Sequence, residues 1–232
     1  MKLKNDKQRE LELIEKTSNE GFGSVYERII LRRFFKQLMQ RYQFSSVFEL
    51  GTKYTKGYDN LVFADKGKKI QATPADLVWN FALVQQKSIL LKQMKSRANK
   101  YVLVFTPNIF NYGTIPHVGF HWLIRKPCQH AESGSVSLRT EMGLRNFFKK
   151  EGLEVLESGG IDIPWWPDTA FSFKEVKKEL GLASKAKTKA KAKVKTAEVW
   201  EKIEKASWIE TSRLPKLVKL PFVHHNFVLG KV

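Results

Sequence analysis

Three groups of residues carry types and spacings suited to chemistry. The first is Val47-Phe48-Glu49-Leu50-Gly51, running into Thr52-Lys53-Tyr54-Thr55-Lys56-Gly57. An apolar run that ends in a carboxylate and opens into a glycine-bounded loop suits a nucleotide-like ligand. Glycines let the backbone approach the ligand, and a following helix N-terminus presents unpaired N–H groups. Glu49 reads equally as a strand-end carboxylate paired with Lys53 or Lys56. The second group is His117, His121, Cys128 and His130, which fall within 14 residues. These are zinc-ligand types, but the spacing matches no common zinc pattern and Pro127 stiffens the middle, so no metal site is expected. The third is Trp165-Trp166, set between Pro164 and Pro167. Its rings suit either stacking on a base or covering an open core edge.

The elements that position these groups follow from periodicity. Leu11, Ile14, Val25, Ile29, Ile30, Phe34, Phe35 and Leu38 recur at helical spacing between Lys2 and Gln43, with a break at Asn19–Ser24. Ser24 with Glu27 three places on predicts a capping box. Val47–Gly51 reads as a strand, Tyr58–Lys66 as a short helix and Lys68–Ala72 as a brief strand. Asp76–Leu83 reads as a stronger strand, Ser88–Asn99 as a helix and Tyr101–Asn108 as a buried strand. Asn111–Gly134 is read as loop, because it contains Gly113, Pro116, Gly119, Pro127 and Gly134. A helix over Glu141–Glu151 closes at Gly152, Leu153–Gly160 is a strand, and Phe222–Gly230 is a terminal strand. Strands alternating with helices predict a largely parallel α/β sheet.

The ordered set Val47-Phe-Glu-Leu-Gly51, Asp76-Leu-Val-Trp-Asn80, Tyr101-Val-Leu-Val-Phe-Thr-Pro-Asn108 and Phe147-Phe-Lys-Lys-Glu-Gly-Leu-Glu-Val-Leu156 resembles the class I S-adenosylmethionine (SAM)-dependent methyltransferases. The resemblance runs from about Tyr26 to Phe173, with the terminal strand added. It implies a Rossmann-like methyltransferase sandwich with an antiparallel last strand. It also implies SAM as cofactor, held by Glu49, Gly51, Thr52 and Gly57 in the first loop and by Asn80 with Phe81 at the end of a later strand. Asn108, Asn111 and Tyr112 match positions that face the methyl acceptor. Methyl transfer needs mainly alignment; where a base takes part, His117 or His121 is the candidate. Three strand–helix units would need about 70 residues, at about 30 per unit, but only 25 positions separate Gly51 from Asp76. The sheet is therefore expected to be shortened, mostly parallel and cut back beside its first strand. Thr73-Pro74 stands where the family places an acidic ribose ligand, and Gln85-Gln86 replaces a common Glu-His pair.

Charge sets the last expectations. The 232 residues carry a net charge of +18, which points to a polyanionic partner such as RNA. Between Lys174 and Lys219 there are 13 Lys and one Arg against six Glu, so much of the excess belongs to one segment. Within it, Lys185–Lys195 alternates Lys with small residues and has no apolar face, which suits a solvated tether. The single cysteine excludes an internal disulfide, and no apolar run reaches the ~20 residues of a membrane span. No secretory leader is recognisable at Met1–Asp6, so a cytoplasmic protein is expected. The expected organisation is N-terminal helices over 1–44, an α/β core over 45–173, a Lys-rich insertion over 174–213 and a terminal strand over 214–232. Two readings stand beside the methyltransferase: a degenerate, SAM-free relative acting as a binding or scaffold subunit with a protein partner, and a basic nucleic-acid-associated protein.

Overall fold

Seven consecutive residues, Ala75–Phe81, are buried, with Trp79 and Asn80 wholly so. A segment rich in branched and aromatic side chains and inaccessible on both faces belongs in the middle of a covered, parallel sheet. In the computed structural model, which describes residues 2–17, 22–50, 74–81, 87–125, 136–164 and 196–232, it is the second of five strands. The elements in chain order are helices α1 (Lys2–Lys16) and α2 (Phe22–Tyr42), strands β1 (Val47–Glu49) and β2 (Ala75–Phe81), helix α3 (Lys87–Arg97), strand β3 (Ala98–Pro107) and helix α4 (Thr114–Leu123). After a single 3-10 turn at Val136–Arg139 come α5 (Glu141–Lys150), β4 (Glu154–Ile161), α6 (Thr196–Ala206), α7 (Trp208–Thr211), α8 (Lys216–Lys219) and β5 (His225–Lys231).

The sheet order is β1-β2-β3-β5-β4. Strands β1, β2 and β3 pair in parallel, and β5 lies antiparallel between β3 and β4. Strand β4 therefore runs with the first three. The carboxyl ends of four strands and the amino end of β5 meet along one edge, where α/β folds bind ligands. This is the Rossmann-like α/β sandwich expected, mostly parallel with its last strand reversed. Among the described residues no strand flanks the outer side of β1, in keeping with the short Gly51–Asp76 separation.

Side-chain alternation divides the core between two layers of helices. Trp79, Phe81, Leu103, Phe105, Phe227 and Leu229 face α2, which buries Tyr26, Ile29, Phe35 and Leu38 against them. Phe35 and Trp79 meet edge-on with ring centroids 4.8 Å apart. On the other face, Val78, Val102, Val104 and Val228 pack against Leu91 and Met94 of α3 and Leu144 and Phe148 of α5. Each such aliphatic side chain contributes about 1.5–3 kcal/mol when fully buried. Helix α1 packs on α6. Arg33 of α2 links the pair: Nε and Nη2 donate to the Glu10 carboxylate at 2.8 and 2.6 Å, and Nη2 also pairs with Glu204.

Three local expectations are corrected. Helix α2 begins at Phe22, so Ser24 lies inside it and no Ser24–Glu27 capping box forms. Strand β3 starts at Ala98, three residues earlier than the apolar run suggested, directly after α3. Part of the presumed loop after Asn111 is helix α4. Pro116 sits in its first turn, where a missing N–H costs nothing, and Gly119 is tolerated at about 1 kcal/mol. The close of α5 follows expectation. Gly152 takes φ +76°, its N–H donates to Lys149 O at 3.0 Å, and Leu153 N–H donates to Phe148 O at 3.0 Å. This is a Schellman motif, completed by apolar packing of Leu153 and Phe148 in one cluster.

Candidate functional site

At the carboxyl edge, β1 and β2 are tied where they end. Leu50 N–H donates to Trp79 O at 2.9 Å, and Asn80 Nδ2 donates to Leu50 O at 2.6 Å. That bond fixes the Asn80 carboxamide beside the exit of β1. Its Oδ1 is buried and has no hydrogen-bond partner among the described residues. Glu49, the last residue of β1, has one carboxylate oxygen, Oε1, buried. Phe81 alternates to the opposite face, its ring 5.5 Å from Phe105 and 4.5 Å from His225. Gly51, Thr52 and Gly57 lie outside the described residues, as do Cys128, His130, Trp165, Trp166 and the Lys185–Lys195 run.

Past β3 the chain is clamped to the segment before β5. Asn108 N–H donates to His224 O at 2.8 Å. Asn108 Nδ2 donates to Val223 O at 2.9 Å and Leu220 O at 3.0 Å, while its Oδ1 accepts from Phe110 N–H. Asn111 Nδ2 donates to Val223 O at 3.1 Å, and its Oδ1 accepts from Gly113 N–H at 2.9 Å. Both carboxamides thus hold the 220–223 backbone and, through it, set the position of His224. Tyr112 stacks edge-on with Phe222 at 5.7 Å. Its hydroxyl is buried without a hydrogen-bond partner among the described residues, and burial pushes its pKa up to about 12. His117 and His121 are carried on α4, on the chain that leaves this clamp.

The same edge brings together a set of titratable groups that sequence reasoning did not single out. Asp162, wholly buried, follows β4 in the left-handed conformation at φ 58°, which a short polar side chain tolerates. Its Oδ2 lies 2.7 Å from His224 Nδ1 and 3.6 Å from His225 Nδ1. Glu27 Oε2, from α2, lies 3.9 Å from His224 Nδ1 and 4.0 Å from His225 Nδ1. Glu210 of α7 supports the group from behind: its Oε1 accepts from Asp162 N–H at 3.1 Å, and its Oε2 accepts from Tyr26 OH at 3.2 Å. Burial pushes the Glu210 carboxyl up to about 7, helped by the Asp162 charge. Burial also acts to raise the Asp162 carboxyl, but the two imidazoles outweigh it and hold that group below the usual carboxylate range. Burial acts to lower His224, yet its bond to Asp162 leaves it raised; burial and the neighbouring His224 push His225 down to about 4. The one signal in the sequence was the adjacent His224-His225 pair at the start of the terminal strand. Its partners lie 62 and almost 200 residues away, beyond any spacing rule.

No protein-family model matches the chain, and no curated protein matches it. Among solved structures, it is similar in outline to the plantazolicin methyltransferase BpumL in complex with a triazolic desmethylPZN analog and SAH. That likeness covers 99% of this chain and 98% of the other at 10% identity and a TM-score of 0.39. A likeness at that level carries no argument about activity, and the fold stands on its own strand order. Among the described residues no helix is long and apolar enough to cross a membrane.

Proposed function

We propose that the chain is a methyltransferase-like protein that binds SAM where β1 and β2 end and passes a methyl group to an acceptor held near α4. The observation that carries this reading is the Asn80 carboxamide. It is fixed by Leu50 O, wholly buried, and left with an acceptor oxygen that has no partner among the described residues. A buried acceptor without a partner costs about 1–3 kcal/mol, so its retention at a ligand-binding edge favours a ligand donor there. An ammonium or amide group on the ligand fits this chemistry, and the Glu49 carboxylate suits the same kind of cation. Gly51, Thr52 and Gly57 would supply loop backbone around it. Bound there, SAM would supply an already activated methyl group. The chain's own work is then to align the acceptor, exclude water and, where the acceptor carries a proton, receive it on His117 or His121 of α4. The unit that does this is the 45–173 core closed by the 214–232 strand.

Isothermal titration of the full chain with SAM tests the reading. One site per chain with micromolar affinity is expected, abolished by Gly51→Arg. Asn80→Ala removes one ligand hydrogen bond and weakens affinity about tenfold, equivalent to about 1.4 kcal/mol. No heat at millimolar SAM would overturn the reading and leave the scaffold role. Salt-dependent RNA binding that survives deletion of Lys185–Lys195 would favour the nucleic-acid role instead.

A further inference from the structure

The cluster at the start of β5 has a composition and spacing that an ordinary ion pair does not explain. A single His–Asp pair accounts for His224 Nδ1 and Asp162 Oδ2 at 2.7 Å. It leaves a second imidazole nitrogen and a second carboxylate oxygen at 3.6–4.0 Å. Those distances are too long for hydrogen bonds. They are close to the separation of donors that share one ion, because tetrahedral bonds of about 2.1 Å place neighbouring ligands about 3.4 Å apart. All four donor atoms lie within 4.8 Å of one another.

We infer that Glu27 Oε2, Asp162 Oδ2, His224 Nδ1 and His225 Nδ1 form a binding site for one divalent first-row metal ion of the zinc class. Two imidazoles with two carboxylates suit such an ion in ligand type, and the carboxylates offset its charge. The independent observation is His225 Nδ1. It sits on a residue 4% exposed, is buried with no hydrogen-bond partner among the described residues, and faces both carboxylates. A buried imidazole nitrogen without a hydrogen-bond partner is costly, and coordination through its lone pair would satisfy it. Three separate elements supply the donors: α2, the exit of β4 and the start of β5. Each is braced. Asp162 is held by Glu210, which Tyr26 holds in turn, and His224 N–H donates to Asp162 O at 2.9 Å. Metal binding would need the His224–Asp162 contact to open by about 0.7 Å and the longer separations, 3.6–4.0 Å from the carboxylates to the imidazoles and within 4.8 Å for the whole set, to close. The inference is independent of SAM binding.

The test uses untagged full-length protein, stripped by chelator and titrated with Zn²⁺ or Co²⁺. One equivalent per chain is expected, with the intense visible bands of tetrahedral Co²⁺. X-ray absorption should show a first shell of nitrogen and oxygen only, including two imidazoles. Asp162→Asn and His225→Gln should weaken binding beyond the roughly 10–100-fold that losing a supporting hydrogen bond costs, whereas Cys128→Ser leaves it unchanged. Circular dichroism reports whether each variant folds; where neither does, the first shell of the wild-type complex decides. Absence of stoichiometric binding, sulfur in the first shell, or full affinity in folded Asp162→Asn and His225→Gln variants would overturn the inference.

Discussion

Gly230→Ala puts the packing of the inner sheet to a direct test. Gly230 lies in β5, paired with Val102 on one side and Val155 on the other. Its backbone is outside the left-handed region, so alanine meets no conformational strain there. The cost is steric. An added Cβ would stand 2.7 Å from Phe148 Cδ1, 3.1 Å from Cε1 and 3.3 Å from Leu153 Cβ. Phe148 is wholly buried and has nowhere to swing, and Leu153 Cβ is fixed by the Schellman turn. Overpacking of this kind costs about 1–3 kcal/mol, while replacing a compatible glycine returns about 0.4–1. A net loss of about 1–2 kcal/mol follows, seen as a melting point lower by roughly 2–8 °C. Urea unfolding followed by circular dichroism measures it. Phe148→Leu in the same chain makes room, so the double variant should lose at least about 0.5 kcal/mol less than the sum of the singles. A Gly230→Ala protein within about 0.5 kcal/mol of wild type, or strictly additive losses, would refute the packing argument.

Asp76 is held below the usual carboxylate range first by the Ser45 N–H bond at 2.9 Å, against burial, with the Ser45 hydroxyl and Lys100 assisting. A carboxyl whose folded pKa is depressed contributes stability above its unfolded value of about 4 and loses it as pH falls through the lower folded value. Asp76→Asn should therefore flatten the acid limb of a stability–pH profile below about pH 4; an unchanged limb would contradict this. Arg33→Ala leaves Glu10 without its two-pronged partner, although Trp200 Nε1 still donates to it at 2.9 Å. A loss of about 1.5–3 kcal/mol is expected by denaturant unfolding. Tyr112→Phe removes a buried hydroxyl that has no hydrogen-bond partner among the described residues and should leave thermal stability equal to or above wild type.

The fold could be read from sequence wherever one local rule was enough. The mostly apolar run of β2, the buried run of β3 and the Gly152 stop of α5 each leave a pattern within ten residues. The strand order needed more, because placing β5 between β3 and β4 joins segments about 70 and 125 residues apart; the family resemblance supplied the reversed direction of the last strand and not its place in the sheet. Local punctuation misled at α4, where Pro116 and Gly119 read as loop although a first-turn proline is compatible with helix. Asn108 and Asn111 were recognised by position, but their bonds to 220–223 depend on tertiary contact. The Asp162–His224–His225–Glu27 group was hidden for the same reason. Its members come from three elements, and the adjacent His224-His225 pair alone stands out in its own neighbourhood.

The central claim is that the junction of β1 and β2 is a cofactor seat. A crystal structure of the full chain grown with S-adenosylhomocysteine tests it most directly. The account predicts the amino-acid half of the ligand beside Glu49, with a ligand donor on Asn80 Oδ1. Finding that junction filled by the chain's own side chains, or the ligand bound at another edge, would contradict it.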